Sequence, residues 1–164
     1  MNKNITQEEI VEAARKFVND YATLGELKGI SHEELEAVYS LGFTHYRTGR
    51  YEDAAKLFQF LVLFDHLNAK YWLALGAVQQ VAKDYKAAVS SYAYSSFLDL
   101  GNPKPQFHAA ECFLALGDKE NAASALLALE EYCPKNTEIG REYLAKAAAL
   151  RKQIGEEAFS EKNA

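Results

Sequence analysis

Apolar residues recur at helical spacing along most of this chain, and between about residues 35 and 134 the pattern repeats every 34 residues. Small residues stand at one place in three consecutive periods, and alanines stand at another. A large apolar or aromatic residue follows each of these alanines by about one helical turn. The matching positions are Gly42, Gly76 and Ala110; Ala54, Ala88 and Ala122; and Phe58, Tyr92 and Leu126.

A 34-residue period with small residues at these places and glycine near the turn is typical of the tetratricopeptide repeat, a hairpin of two helices. The small residues allow the two helices to approach each other closely. One hairpin cannot bury its own apolar face, so neighbouring hairpins stack into a solenoid with a concave surface. We therefore predict an all-α tetratricopeptide-repeat solenoid of three helix hairpins, with an N-terminal helix and a C-terminal capping helix.

Capping residues indicate where the helices begin. Ser31 and Glu34 form a capping box before the first repeat helix. Asn68 is a preferred cap for the third. Asn102 caps the fifth, and Pro103 suits its first turn. The sequence predicts helices over about 32–48, 51–66, 69–83, 85–100, 104–116, 119–132 and 138–154.

The segment before the repeats is predicted to form an amphipathic helix. Thr6 and Glu9 give a further capping box, and apolar residues follow at helical spacing. This face needs a partner, which is either the repeat body or a second copy of the chain. We expect residues 23–30, with two glycines, to be a short irregular connection. The apolar face consists of Ile10, Ala14, Phe17 and Val18.

We expect one domain over 1–164. Its repeats occupy 32–134 and its N-terminal helix and connection occupy 6–30. After Pro134 the register fails, since Leu144 stands where a small residue is expected. The last helix is therefore predicted to cover the open end of the solenoid. The parts are three repeats over about 35–68, 69–102 and 103–136, a capping helix over 137–155 and a solvated tail over 156–164.

Composition narrows the classes of function. The net charge is −5, which argues against nucleic acid as a direct partner because phosphate binding needs a basic surface. No apolar run is long enough to span a membrane, and the first residues lack the pattern of a signal peptide. Cys112 and Cys133 are too few for a disulfide framework. We expect a cytoplasmic protein with no direct membrane contact.

Catalytic and metal-binding motifs are missing from the sequence. Its four histidines have no partners at the spacing of a metal site, apart from the weak pair of His108 and Cys112. Neither a phosphate-binding loop nor a serine nucleophile elbow occurs. We therefore expect no enzyme activity, no metal and no cofactor.

The concave face of such a solenoid is lined by the first helix of each hairpin. Its predicted inward residues are aromatic at one end, small in the middle and mixed at the other end. Aromatic pockets with a few polar groups suit an extended peptide with hydrophobic anchors. Alternatively, these rings pack only against neighbouring helices. The predicted groove residues are Tyr39, Phe43, Tyr46, Arg47, Lys70, Leu73, Ala77, Gln80, Phe107, His108 and Glu111.

The stretches over 39–66, 71–100 and 105–118 resemble the class II chaperones of bacterial type III secretion, and FHAAEC over 107–112 is the most specific of them. The resemblance implies a chaperone that holds hydrophobic, pore-forming translocator proteins in the bacterial cytoplasm before export. It implies that a short extended client segment binds in the concave groove. It also implies a homodimer formed through the N-terminal helix.

Two other classes of function stay open at this point. One is a general tetratricopeptide-repeat scaffold that recruits a folded partner or a peptide C-terminus. The other is an enzyme, although no residue pattern in the sequence supports it. Co-purification separates the first from a chaperone, because a chaperone carries a hydrophobic client whereas a scaffold carries a folded complex.

Overall fold

Eight helices follow one another with short turns between them in the computed structural model, which describes residues 23–155. No strand occurs in that range. The predicted N-terminal helix with Ile10, Ala14, Phe17 and Val18 lies outside the described residues, as does the predicted tail over 156–164. The helices are α1 Leu24–Lys28, α2 His32–Arg47, α3 Tyr51–Phe64, α4 Ala69–Val81, α5 Tyr85–Leu98, α6 Pro103–Ala115, α7 Lys119–Tyr132 and α8 Glu138–Ile154.

The helices α2 to α7 form three successive hairpins, α2 with α3, α4 with α5 and α6 with α7. In the first two hairpins an aromatic ring lies directly over a glycine. A Cβ atom added to Gly42 would lie 2.8 Å from Cε1 of Phe58, and one added to Gly76 would lie 2.6 Å from Cε1 of Tyr92. The third hairpin has Ala110 and Leu126 at these places, and both belong to one buried apolar cluster. The 34-residue repetition thus reflects a contact that recurs in each hairpin, and the predicted all-α solenoid is confirmed.

The turn inside each hairpin uses a left-handed residue at the same repeat position. Gly49 has φ 77° and Gly117 has φ 78°. The equivalent residue of the second hairpin, Lys83, has φ 63° although it carries a side chain. Glycine adopts this conformation without steric strain, whereas lysine does not.

The predicted helix starts agree with the structure. Ser31 and Glu34 form a reciprocal capping box, with Ser31 N donating to Glu34 at 2.8 Å. Asn68 and Asn102 accept hydrogen bonds from the first turns of α4 and α6. At the other ends, α3, α4 and α5 stop about two residues earlier than predicted. Asp65 and Asp99, which follow α3 and α5, have φ near −140° and so lie outside the helical conformation.

One prediction for this region is wrong. Residues 23–30 are not irregular, since they contain the short helix α1. Glu26 N donates to Oγ1 of Thr23 at 3.2 Å, and Thr23 N donates to the Glu26 carboxylate at 2.7 Å. Gly29 ends the helix with φ 70°. This capping box is visible in the sequence, but the two glycines suggested a loop instead.

The helix α8 covers the open end of the solenoid. Its buried residues Tyr143, Ala147 and Ile154 join one apolar cluster with residues of α6 and α7. Gly140 fits close under the preceding turn, because an added Cβ would lie 2.0 Å from the carbonyl oxygen of Pro134. The capping role predicted for this helix is confirmed.

Candidate functional site

A cavity of about 210 Å³ opens between the first helices of neighbouring hairpins. Its walls are mostly aromatic or aliphatic, and two lysines stand at its edge. Most of its lining comes from α2 and α4, the helices that the repeat pattern assigns to the concave face. The lining residues are Tyr39, Phe43, Tyr46, Phe58, Lys70, Leu73, Ala74, Ala77 and Lys104.

Tyr39 stands at the centre of the aromatic wall. Its ring centroid lies 5.8 Å from those of Phe58 and Tyr71 and 6.3 Å from that of Phe43. Burial raises the pKa of Tyr39 above its usual value, so the phenol stays neutral. Phe43 differs from these rings because 45% of it is exposed. The cavity therefore combines rings fixed by packing with one open ring.

Lys70 is held against this wall by a carboxylate. Its Nζ lies 2.6 Å from an oxygen of Glu36 and 4.2 Å from the centroid of the Tyr39 ring. The hydroxyl of Tyr71 donates to the same carboxylate at 2.9 Å. The hydrogen bond from Lys70 is the main reason why the pKa of Glu36 is lowered. An ion pair and a cation–π contact thus fix the ammonium group.

A second cavity of about 490 Å³ continues the first along the concave face. The two cavities share Tyr46 and Ala77, so together they form one groove. The second cavity is wider and more polar than the first. Its lining residues are Tyr46, Ala77, Gln80, Val81, Tyr85, Tyr92, His108, Glu111 and Ala115.

A chain of hydrogen bonds orders the polar wall of the second cavity. The hydroxyl of Tyr92 donates to Oε1 of Gln80 at 2.6 Å, and Nε2 of Gln80 donates to Oε2 of Glu111 at 3.1 Å. Nδ1 of His108 lies 2.8 Å from the same oxygen. Burial opposes ionisation of Glu111, but the hydrogen bonds from His108 and Gln80 lower its pKa overall. The groove therefore contains a carboxylate at this end.

The structure brings most of the predicted groove residues together. Two of them lie outside both cavity linings. Arg47 is exposed near the end of α2, and Phe107 packs edge-on against Tyr143 of α8 at 5.5 Å. Several lining residues lie outside that predicted set. They are Phe58, Ala74, Val81, Tyr85, Tyr92, Lys104 and Ala115.

A sequence signal existed for some of the missed residues. Lys104 stands one 34-residue period after Lys70, so it occupies the same repeat position as a residue that was predicted to line the groove. Phe58 and Tyr92 belong to the second helices of their hairpins. Their rings lie over Gly42 and Gly76, which have no side chains to shield them from the groove.

Neither a metal site nor a membrane-spanning helix is found in the part of the chain that the structure describes. No three His, Cys, Asp or Glu side chains between residues 23 and 155 are grouped as metal ligands. None of the helices in that range combines the length and the apolar character needed to cross a membrane. The groove is therefore the feature on which we base the function.

The chain matches the family model of the tetratricopeptide repeat at residues 35–68 and 69–101. It is 40% identical over 126 residues to the low calcium response locus protein H of Yersinia pestis. That match covers 77% of this chain and 75% of the relative.

Solved structures agree with these matches. A type III secretion complex from Aeromonas hydrophila aligns with a TM-score of 0.83 and 35% identity, covering 92% of this chain and 99% of that one. The Yersinia enterocolitica chaperone SycD, bound to a peptide of the translocator YopD, aligns with a TM-score of 0.71 and 38% identity. That alignment covers 76% of this chain and 95% of SycD. A structure of SycD as an alternative dimer gives a TM-score of 0.71 and 37% identity, and it covers 76% of this chain and 94% of that one. The chain therefore belongs to the family of type III secretion translocator chaperones.

Proposed function

We propose that this protein holds a hydrophobic, pore-forming translocator of a type III secretion system through an extended client segment bound in its groove. Bound in this way, the client is kept from associating prematurely and stays competent for export. The observation that carries the proposal is the continuous groove in which Tyr39, Phe43 and Tyr46 form an aromatic wall. The related SycD has been crystallised with a peptide of its translocator YopD.

The dimensions and chemistry of the groove suit a narrow, extended segment. The first cavity is large enough for an apolar side chain, and the wider second cavity offers hydrogen-bonding groups beside it. Packed rings and the Glu36–Lys70 ion pair hold the first wall in place before any ligand arrives. A groove that is already ordered lowers the entropy lost on binding, so that mainly the client segment must be fixed.

Binding of this kind explains how a chaperone works without catalysis. A partner that binds the unfolded or partly folded client shifts the folding equilibrium toward that state. It also covers apolar surface that would otherwise aggregate before export. Neither step needs a catalytic residue, a nucleotide or a metal. We place this activity in the bacterial cytoplasm, before the client is exported.

The test combines Tyr39→Ala with Tyr46→Ala in the full chain, co-expressed with a pore-forming translocator from the same genome. We expect a large loss of co-purified translocator with nearly unchanged helicity by circular dichroism. Phe97→Ala is the matched control, because this ring is 79% exposed and lies outside both groove cavities. Equal recovery of the translocator with the double variant would refute the groove assignment. Recovery of a folded cytoplasmic complex instead would favour a general scaffold.

We also propose that the chain forms a homodimer through the apolar face of its N-terminal segment. The support is the helical spacing of Ile10, Ala14, Phe17 and Val18, and a related chaperone, SycD, has been crystallised as a dimer. Deleting residues 1–20 should then lower the mass measured by light scattering to that of one chain. An unchanged mass would rule out this face as the dimer contact.

A further inference from the structure

The second cavity contains the carboxylate of Glu111, and the protein forms hydrogen bonds to only one of its two oxygens. His108 and Gln80 both bond to Oε2 of Glu111, at 2.8 and 3.1 Å. Because a carboxylate can only accept, Nδ1 of His108 carries the hydrogen of the first bond. Among residues 23–155, no donor reaches Oε1 of Glu111. The side chain is 38% exposed and lines the cavity, so a bound molecule can contact this carboxylate.

The surrounding charges leave this carboxylate without a permanent cation. The one salt-bridge partner of Glu111 among the described residues is the imidazole of His108, which is charged only if protonated. Lys146 is the other cation that affects Glu111. Its Nζ is bonded to Glu142 at 2.6 Å and lies 4.5 Å from the centroid of the Tyr143 ring. No lysine or arginine belongs to the lining of the second cavity.

The first cavity shows how this groove holds an ammonium group. There Lys70 lies 2.6 Å from the carboxylate of Glu36 and 4.2 Å from the centroid of the Tyr39 ring. The second cavity contains the same two kinds of group, a carboxylate and several tyrosine rings, but its lining contains no lysine or arginine. A carboxylate beside aromatic faces attracts a cation by both charge and the ring quadrupole. The aromatic rings of this lining are Tyr46, Tyr85 and Tyr92.

We infer that the second cavity binds a lysine or arginine side chain of the client, with Glu111 as the residue that determines this specificity. The basic residue would stand next to the apolar anchor that fills the first cavity, because the two cavities meet at Tyr46 and Ala77. This inference rests on the proposed function, since it assumes that the client segment lies in the groove.

The experiment selects binders from a random 12-residue peptide library displayed on phage, using the full-length protein. Parallel selections use Glu111→Gln, which keeps the size of the side chain and its ability to accept from His108 and Gln80. Glu131→Gln is the control, because it removes the same charge from an exposed site outside the cavity. Each enriched peptide is then compared with its analogue carrying glutamine in place of the basic residue, by fluorescence anisotropy.

We expect the wild type and Glu131→Gln to enrich lysine or arginine at a fixed spacing from an apolar residue. The analogue with glutamine should bind roughly tenfold more weakly to these two proteins. With Glu111→Gln the enrichment should vanish and the affinity ratio should fall close to one. Groove-binding peptides with apolar anchors but no basic preference would overturn this inference and leave the proposed function standing. Failure to enrich any groove-binding peptide would overturn both.

Discussion

The contact between Gly42 and Phe58 gives a direct test of the reason for the small residues in the repeat. A Cβ atom at Gly42 would lie 2.8 Å from Cε1 of Phe58 and 3.2 Å from both Cδ1 and Cζ. Carbon atoms normally approach to about 3.5–4.0 Å. Phe58 is 1% exposed, so its ring has little space into which it can move. The variant Gly42→Ala should therefore strain the first hairpin.

Two opposing effects decide the size of this change. Alanine is favoured over glycine in a helix interior by about 1 kcal/mol. Overpacking of a filled core usually costs about 1–3 kcal/mol. We expect a net loss of roughly 1 kcal/mol for Gly42→Ala. The equivalent position of the third hairpin has Ala110 opposite Leu126, so there Ala110→Gly should also destabilise the protein, by about 1–2 kcal/mol.

The double variant Gly42→Ala with Phe58→Leu recreates the pair of the third hairpin. Its loss of unfolding free energy should be about 1 kcal/mol smaller than the sum of the losses in the two single variants, since contacting residues couple in a double-mutant cycle. Guanidinium unfolding followed by circular dichroism at 222 nm measures each free energy. Protein concentration must be constant because a dimer gains stability with concentration. If Gly42→Ala instead raises the unfolding free energy by the full gain of about 1 kcal/mol that alanine has over glycine in a helix, the Phe58 ring moves aside without cost. The close-packing explanation then fails.

One further substitution tests the backbone at Lys83, and two measurements test the buried thiol of Cys112. Lys83→Gly should stabilise the protein by roughly 0.5–1 kcal/mol, because φ is 63° there; an unchanged or lower unfolding midpoint would contradict this. Burial raises the pKa of Cys112 to about 12. An unfolded thiol ionises near pH 8.5, so this group should lower stability as the pH rises from about 8.5 to 12. At pH 8, iodoacetamide should label Cys112 far more slowly in native than in unfolded protein, as peptide mass spectrometry can measure.

The period of 34 residues is sufficient to predict the hairpins and the aromatic wall of the groove. Tyr39, Phe43 and Tyr46 all line the first cavity, because residues on the first helices of a solenoid share one face. Phe107 is the equivalent of Tyr39 in the third repeat, yet its ring packs against Tyr143 of α8. The sequence of α8 departs from the repeat, so the register contains no information about this contact.

Other differences arise where one signal outweighs another. Thr23 and Glu26 have the spacing of a capping box, but the neighbouring glycines favoured a loop; the structure has a helix there. The polar network around Glu111 could not be predicted, because it joins side chains of three helices. Gln80 of α4 bonds to both Tyr92 of α5 and Glu111 of α6. Such contacts depend on side-chain conformations that a repeat pattern does not specify.

Polar contacts that connect neighbouring hairpins involve three residues of the groove lining, Lys70, Gln80 and Glu111. Glu36 of α2 bonds to Lys70 and Tyr71 of α4, and Gln80 of α4 bonds to Glu111 of α6. Each bond joins the first helix of one hairpin to the first helix of the next, so each helps to set their spacing. A substitution at these residues should therefore change both stability and client affinity.

Phe43 is different, because it is 45% exposed and the one ring contact it makes among the described residues is with Tyr39 at 6.3 Å. The variant Phe43→Ala should weaken binding of a translocator while leaving the unfolding midpoint almost unchanged. Tyr39→Ala should lower both, because its ring also packs on Phe58 and Tyr71. Titration of the purified variants with the co-purifying translocator, next to their unfolding curves, separates the two effects. Loss of stability without loss of affinity for Phe43→Ala would mean that this ring supports the hairpin and not the client.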